Sequence, residues 1–267
     1  MEENFWYAFL LTALAGLSTG FGSLIALFAK QTDRRLLCTA LGFSAGVMVY
    51  VSMIELMPEA KLALLNHTSM AESGWYVIAG FFGGMLLIGL IDLFIPHHIN
   101  PHEVSHIESE ESRSHQNQKL LRMGVLTGLA VGIHNFPEGI ASFLSTLHDS
   151  GTGSMITVAI AIHNIPEGIA VSLPIYYATG SKKKAFVYSF LSGVAEPVGA
   201  LIGYLFLQPF LTEFVMGITF AVVAGIMVFI SFDELLPAAE KFGEHHLAIY
   251  GLIFGMLVMA VSLQLSV

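Results

Sequence analysis

The chain has 267 residues, 55% hydrophobic and 12% charged, about half the charged share of an ordinary soluble domain. A soluble core cannot absorb that composition, and a net charge of −9 without a clustered basic face excludes nucleic acid as a partner. The single cysteine, Cys38, excludes an intramolecular disulfide and a thiolate metal cluster.

Apolar runs of roughly 20 residues, the length that crosses a hydrocarbon core, lie at 5–29, 36–57, 75–95, 121–147, 154–179, 185–208, 212–237 and 245–266. They predict an all-α membrane protein of eight transmembrane helices, a single transmembrane domain over 1–267 whose partner is the lipid bilayer. The first run opens on Glu2 and Glu3 and has no small-residue cleavage pattern. It reads as a retained helix rather than a signal peptide, so that the mature chain is the whole chain. The second run contains a segment, 45–60, that aligns without a gap to 224–239 in the seventh, nine of sixteen residues being identical at an offset of 179. Glu55 falls over Glu234 and Pro58 over Pro237 in that alignment. Run one fits run six through Gly16, Gly22, Leu24 and Ile25 over Gly193, Gly199, Leu201 and Ile202, and Gly84-Met85-Leu86 in run three resembles Gly255-Met256-Leu257 in run eight. Helices 1–3 are therefore expected to repeat as 6–8 around the pair 4–5, in inverted orientation, because five helices separate equivalent positions. Such repeats mark secondary transporters with a site near the midplane.

Lys30, Arg34, Arg35, Arg113, Lys119, Arg122, Lys182, Lys183, Lys184 and Lys241 all follow odd-numbered runs, leaving Lys61 alone on the other side. Basic residues stay cytoplasmic, which places both termini on the external side of the membrane. The external loops then carry Glu2, Glu3, Glu72, Asp149 and Glu213, a field that concentrates cations. Residues 96–118, with His97, His98, His102, His106 and His115 among Glu103, Glu108, Glu110 and Glu111, read as a His-rich cytosolic loop. It is either a weak metal binder or a solvated linker.

Runs four and five carry the chemistry. His134-Asn135-Phe136-Pro137-Glu138-Gly139 recurs as His163-Asn164-Ile165-Pro166-Glu167-Gly168, twenty-nine positions on, with five of six residues identical. On a helix, His, Asn and Glu at these spacings project from one face and can converge on one ion. Pro137 and Pro166 free the carbonyls of Ile133 and Ile162 as further oxygen ligands, and Gly139 and Gly168 permit close helix approach. Run six adds Glu196 before Pro197. Imidazoles with carboxylates suit Zn²⁺, Fe²⁺, Mn²⁺ or Co²⁺ better than Mg²⁺, Ca²⁺ or Cu⁺. Beyond Arg122 at the edge of run four, these spans offer the carboxylates no Lys or Arg partner, which argues against a buried structural salt bridge.

Together, the twin motif, the Glu before Pro in run six and eight runs with external termini resemble the Zrt/Irt-like (ZIP) transporters over essentially the whole chain. The resemblance implies a bacterial cytoplasmic membrane and uptake of divalent metal across it into the cytoplasm, zinc foremost, with iron, manganese, cobalt or cadmium also accepted, and no prosthetic group. It implies a primary site of His134, Glu138, His163 and Glu167. Asn135, Asn164 and Glu196 would build an adjacent second site sharing both motif carboxylates. Several members of that family carry an acid at the position of Asn164, so the second site here has one fewer negative charge. Asp92 with His97, and Asp233 with Glu234, are candidate exit-path ligands, and Glu59 is the candidate at the entrance. The sequence leaves a homodimer open, as it does export on the same fold. An intramembrane metalloenzyme is disfavoured because Asn135 stands where the His-Glu-x-x-His pattern needs its general base. No Gly-x4-Gly-Lys-Ser/Thr loop is present, so flow follows gradients rather than ATP hydrolysis.

Overall fold

The computed structural model describes residues 2–30, 33–94, 110–148, 150–207, 210, 212–242 and 245–265. Among them the regular structure is entirely helical. We number the long helices α1 (Glu2–Gly22), α2 (Arg34–Leu65), α3 (Met70–Phe94), α4 (Glu110–His148), α5 (Ser150–Thr179), α6 (Lys182–Ile202), α7 (Glu213–Lys241) and α8 (His245–Leu265). Six of them, α1, α2, α3, α6, α7 and α8, are long and apolar enough to cross a membrane. The other two are the motif helices, 39 and 30 residues long, whose His, Asn, Glu and hydroxyl side chains dilute their apolar surface. Because α4 begins at Glu110, the last part of the stretch expected as a loop over 96–118 is helical. His97 lies outside the described residues.

Local chemistry sets the helix ends. Ser69 and Glu72 form a reciprocal cap at the start of α3, the Ser69 amide donating to Glu72 Oε2 at 2.9 Å and the Glu72 amide to Ser69 Oγ at 3.3 Å, which satisfies orphan amides at that end. Thr212 caps α7 by accepting from the Val215 amide at 3.2 Å. Between α5 and α6 the chain turns on Gly180, at φ 67°, where only glycine escapes the steric cost. Ser181 then caps α6 by accepting from the Lys184 amide.

Both α2 and α7 pass through a π-helical turn, Ser52–Leu56 and Ser231–Leu235. The cause is the same in each. Pro58 and Pro237 lack the amide that would bond four residues back. Upstream, Ser52 and Ser231 turn their hydroxyls onto the Met48 and Met227 carbonyls at 2.7 and 2.8 Å, and the ladder loosens between these two perturbations.

The helices pack in matched pairs: α2 against α8 and α7 against α3, α4 against α6 and α5 against α1. Gly16 and Gly193 face each other across α1 and α6, where a Cβ on either would lie 2.4 or 2.1 Å from the other's carbonyl oxygen. Burial runs opposite to that of a soluble protein. Large apolar side chains such as Trp75, Leu86, Phe254 and Leu257 stand exposed on α3 and α8, while the seven motif and Glu196 polar groups are buried.

Candidate metal centre

The motif residues meet where α4, α5 and α6 pack together. Gly139 and Gly168 allow that approach: a Cβ on Gly139 would fall 2.1 Å from the Glu196 carbonyl oxygen on α6, and one on Gly168 would fall 1.8 Å from that of Thr19 on α1. Neither contact survives a side chain. Both helices run unbroken through their prolines, and the carbonyl of Pro166 itself accepts from Ser44 Oγ on α2 at 2.7 Å.

The pairing is crossed. His134 Nε2 lies 2.8 Å from Glu167 Oε1, and His163 Nε2 lies 3.4 Å from Glu138 Oε2, so each motif's imidazole meets the other motif's carboxylate. Spacing along one helix put His134 and Glu138 on a common face but did not specify this exchange. All four residues are at most 3% exposed. Two ligands on zinc, each about 2.0–2.1 Å from the metal at a tetrahedral angle, stand roughly 3.3 Å apart. The His163–Glu138 pair already has that separation.

Asn164 Nδ2 donates to the Ala15 carbonyl at 3.0 Å and to Glu196 Oε1, and Asn135 Nδ2 donates to the Ser192 carbonyl, one turn before Glu196, at 3.3 Å. Asn135, Asn164 and Glu196 are fully buried. Six of the seven residues keep a buried polar atom without a hydrogen-bond partner: His134 Nδ1, Asn135 Oδ1, His163 Nδ1, Asn164 Oδ1, Glu167 Oε2 and Glu196 Oε2. Unsatisfied buried groups are rare and costly, and here four of the atoms are oxygens with lone pairs suited to a cation. The other two, the imidazole nitrogens of His134 and His163, serve as well when they carry no proton.

Three of the candidate path residues, Glu59, Asp92 and Glu234, line two separate cavities. Glu59 lines a cavity of about 260 Å³ with Glu55, Glu138, Ala141, Ser145 and His163. Asp92 and Glu234 line a much smaller one, about 10 Å³, with Thr127 and Phe229. Among the described residues, Asp92, Asp233 and Glu234 are the one group of three metal-ligating side chains whose atoms lie within 4.8 Å of one another. The central residues stand instead as two pairs. Arg122 Nη2 bonds Asp92 Oδ1 at 2.7 Å, a contact that charge counting could not assign, since Arg122 served there only as a cytoplasmic marker. Sequence reading also left Glu55 as a mark of the repeat. Its signal was a carboxylate within an apolar run, without a cation beside it.

Comparison with known proteins decides the family. Residues 96–263 match the model of the ZIP Zinc transporter family. The chain belongs to the ZIP zinc-transporter family. It is 59% identical over 267 residues to the zinc transporter ZupT of Streptococcus mutans, covering all of both chains. It is 59% identical over 266 residues to that of Oceanobacillus iheyensis, covering 98% of this chain and 99% of the relative, and 54% identical over 278 residues to that of Clostridium perfringens, covering 99% and 98%. ZIP proteins are carriers, not enzymes, and zinc is their cargo rather than a prosthetic group. A multi-pass membrane protein follows from that membership and from the six apolar helices.

Proposed function

We propose that this protein carries zinc, and with it iron, manganese, cobalt or cadmium, across the bacterial cytoplasmic membrane into the cytoplasm. His134, Glu138, His163 and Glu167 form the central site, and Asn135, Asn164 and Glu196 its neighbour. The observation that carries the reading is the burial of these seven side chains inside an apolar bundle, six of them with an unpaired polar atom. A cation completes their coordination, drawing the two crossed pairs together around it. Borderline metals fit the mixed imidazole and carboxylate set, and the names of the relatives favour zinc among them.

The eight-helix inverted repeat is the transport framework in this reading. Its support is the matched packing of α2 on α8 and α7 on α3, together with the π turns at equivalent places, Ser52–Leu56 and Ser231–Leu235. The reciprocal approach of Gly16 and Gly193 agrees with it. Glu59 then lies on the external side, and Asp92, Asp233 and Glu234 lie on the cytoplasmic side, where a divalent ion leaves.

The test is radiometal uptake into sealed vesicles of known orientation, with competition by Zn²⁺, Fe²⁺, Mn²⁺, Co²⁺ and Cd²⁺. Uptake from the external face that zinc competes supports the reading. Accumulation only from the cytoplasmic face would make the protein an exporter.

A further inference from the structure

The π turns of α2 and α7 each end one residue after a glutamate, Glu55 and Glu234. Equivalent by sequence, the two carboxylates open onto cavities of unequal size. Glu234 shares about 10 Å³ with Asp92. Glu55 lines about 260 Å³ together with Glu59, Glu138 and His163. At about 30 Å³ per water, the larger space holds a hydrated ion and the smaller does not.

Glu55 is not an ordinary surface acid. Its Oε2 is buried with no hydrogen-bond partner, and the titratable side chains of His163, Glu138 and Glu59 lie within its electrostatic reach. His163, 2% exposed, lines the same cavity and also keeps an unpaired Nδ1. The π turn accounts for the placement, because an extra residue in the turn re-aims a side chain that a straight helix would point elsewhere, as such bulges do at functional sites. The flanking Met53 and Ile54 stand exposed on the apolar outside, leaving Glu55 as the inward-facing acid of that turn.

We propose that Glu55 is a staging ligand: a divalent cation entering the larger cavity binds Glu55, with Glu59 beside it, while still partly hydrated, and passes from there to Glu138 and His163. An all-oxygen station accepts any small divalent ion, so discrimination falls to the imidazoles beyond it. Its contribution is to capture, since a carboxylate in a low-dielectric cleft raises the local cation concentration. The inference rests on the transport reading above.

Uptake by the purified full-length protein in sealed vesicles, measured over a range of Zn²⁺ concentrations, separates the two. In E55Q, half-saturation should rise about tenfold, the lower end of the steering range, while the maximal rate stays within a factor of two of the native protein. E55D should recover most of the affinity. An unchanged half-saturation in E55Q at normal abundance overturns the staging role, as does a loss of maximal rate with half-saturation unaltered. If E55Q does not insert, E55A and E59Q read the same cavity, and native half-saturation in both overturns the proposal equally. Failure of the transport reading looks different: the native protein and H134A would then accumulate metal alike, whatever Glu55 does.

Discussion

At the scale of single residues, the crossed pairs make each imidazole and carboxylate answerable for its partner. Removing His134 leaves Glu167 buried with both oxygens unpaired, and removing Glu167 leaves His134 without its 2.8 Å contact. We expect His134→Ala or Glu167→Ala to reduce uptake to background while the protein still inserts, as checked by radiometal uptake normalised to membrane abundance. Normal transport in both variants would refute the site. Asn164 tests the neighbouring site in the opposite sense. Its amide donates to Ala15 and to Glu196, and Asn164→Asp replaces that donor by a second carboxylate facing the first. Two buried like charges require a cation. The variant should therefore melt lower than the native protein without metal and gain more from added Zn²⁺, since ligand that binds only the folded state stabilises by mass action. Its binding should tighten or rise in stoichiometry, and its maximal uptake should fall or change metal preference. Identical melting, binding and uptake would remove Asn164 from the metal site.

At the scale of helices, what the sequence disclosed and what it withheld divide along a physical line. The buried His and Glu side chains of the candidate site were legible because such groups do not sit in hydrocarbon without a reason, and the likeness of α2 to α7 because Pro58 and Pro237 recur in register. Periodicity along one helix gives a face but no partner. The exchange of His134 with Glu167 depends on how α4 meets α5, and the pairing of Arg122 with Asp92 on how α4 meets α3. The π turn at Ser52–Leu56 was equally hidden, since it arises from a serine hydroxyl and a missing proline amide acting six residues apart. Packing also ranks glycines that look alike in the sequence. Gly168→Ala must push its Cβ away from the Thr19 carbonyl, 1.8 Å distant, whereas Gly74→Ala enters open space. Overpacking of this kind costs about 1–3 kcal/mol. Thermal unfolding in detergent should show Gly168→Ala destabilised by that order and impaired in uptake. Gly74→Ala should be neutral or slightly more stable, given alanine's helical preference of up to about 1 kcal/mol. Equal stability of the two variants would mean that α1 and α5 are not held at this distance.

At the scale of the molecule, which cavity receives the ion during uptake and which releases it depends on the side of the membrane each faces. Ten of the eleven basic residues lie on one side of the eight-span reading, and both tryptophans, Trp6 and Trp75, are exposed near the starts of α1 and α3. Those two ends fall on the same face in that reading, where amphipathic aromatics anchor a helix at the interface. Cys38 is the sole cysteine and is buried, so a Cys38→Ser background accepts reporter thiols at exposed positions. Ala71→Cys, beside the start of α3, should react with a membrane-impermeant maleimide in right-side-out vesicles. Lys183→Cys, in the first turn of α6, should react only after permeabilisation. Each site is solvent-exposed, and neither touches the proposed site, so labelling and uptake can be read on the same preparation. The opposite pattern would invert the protein. The large cavity holding Glu55 and Glu59 would then open to the cytoplasm, the Asp92, Asp233 and Glu234 group to the exterior, and the capture step argued for Glu55 would belong to export.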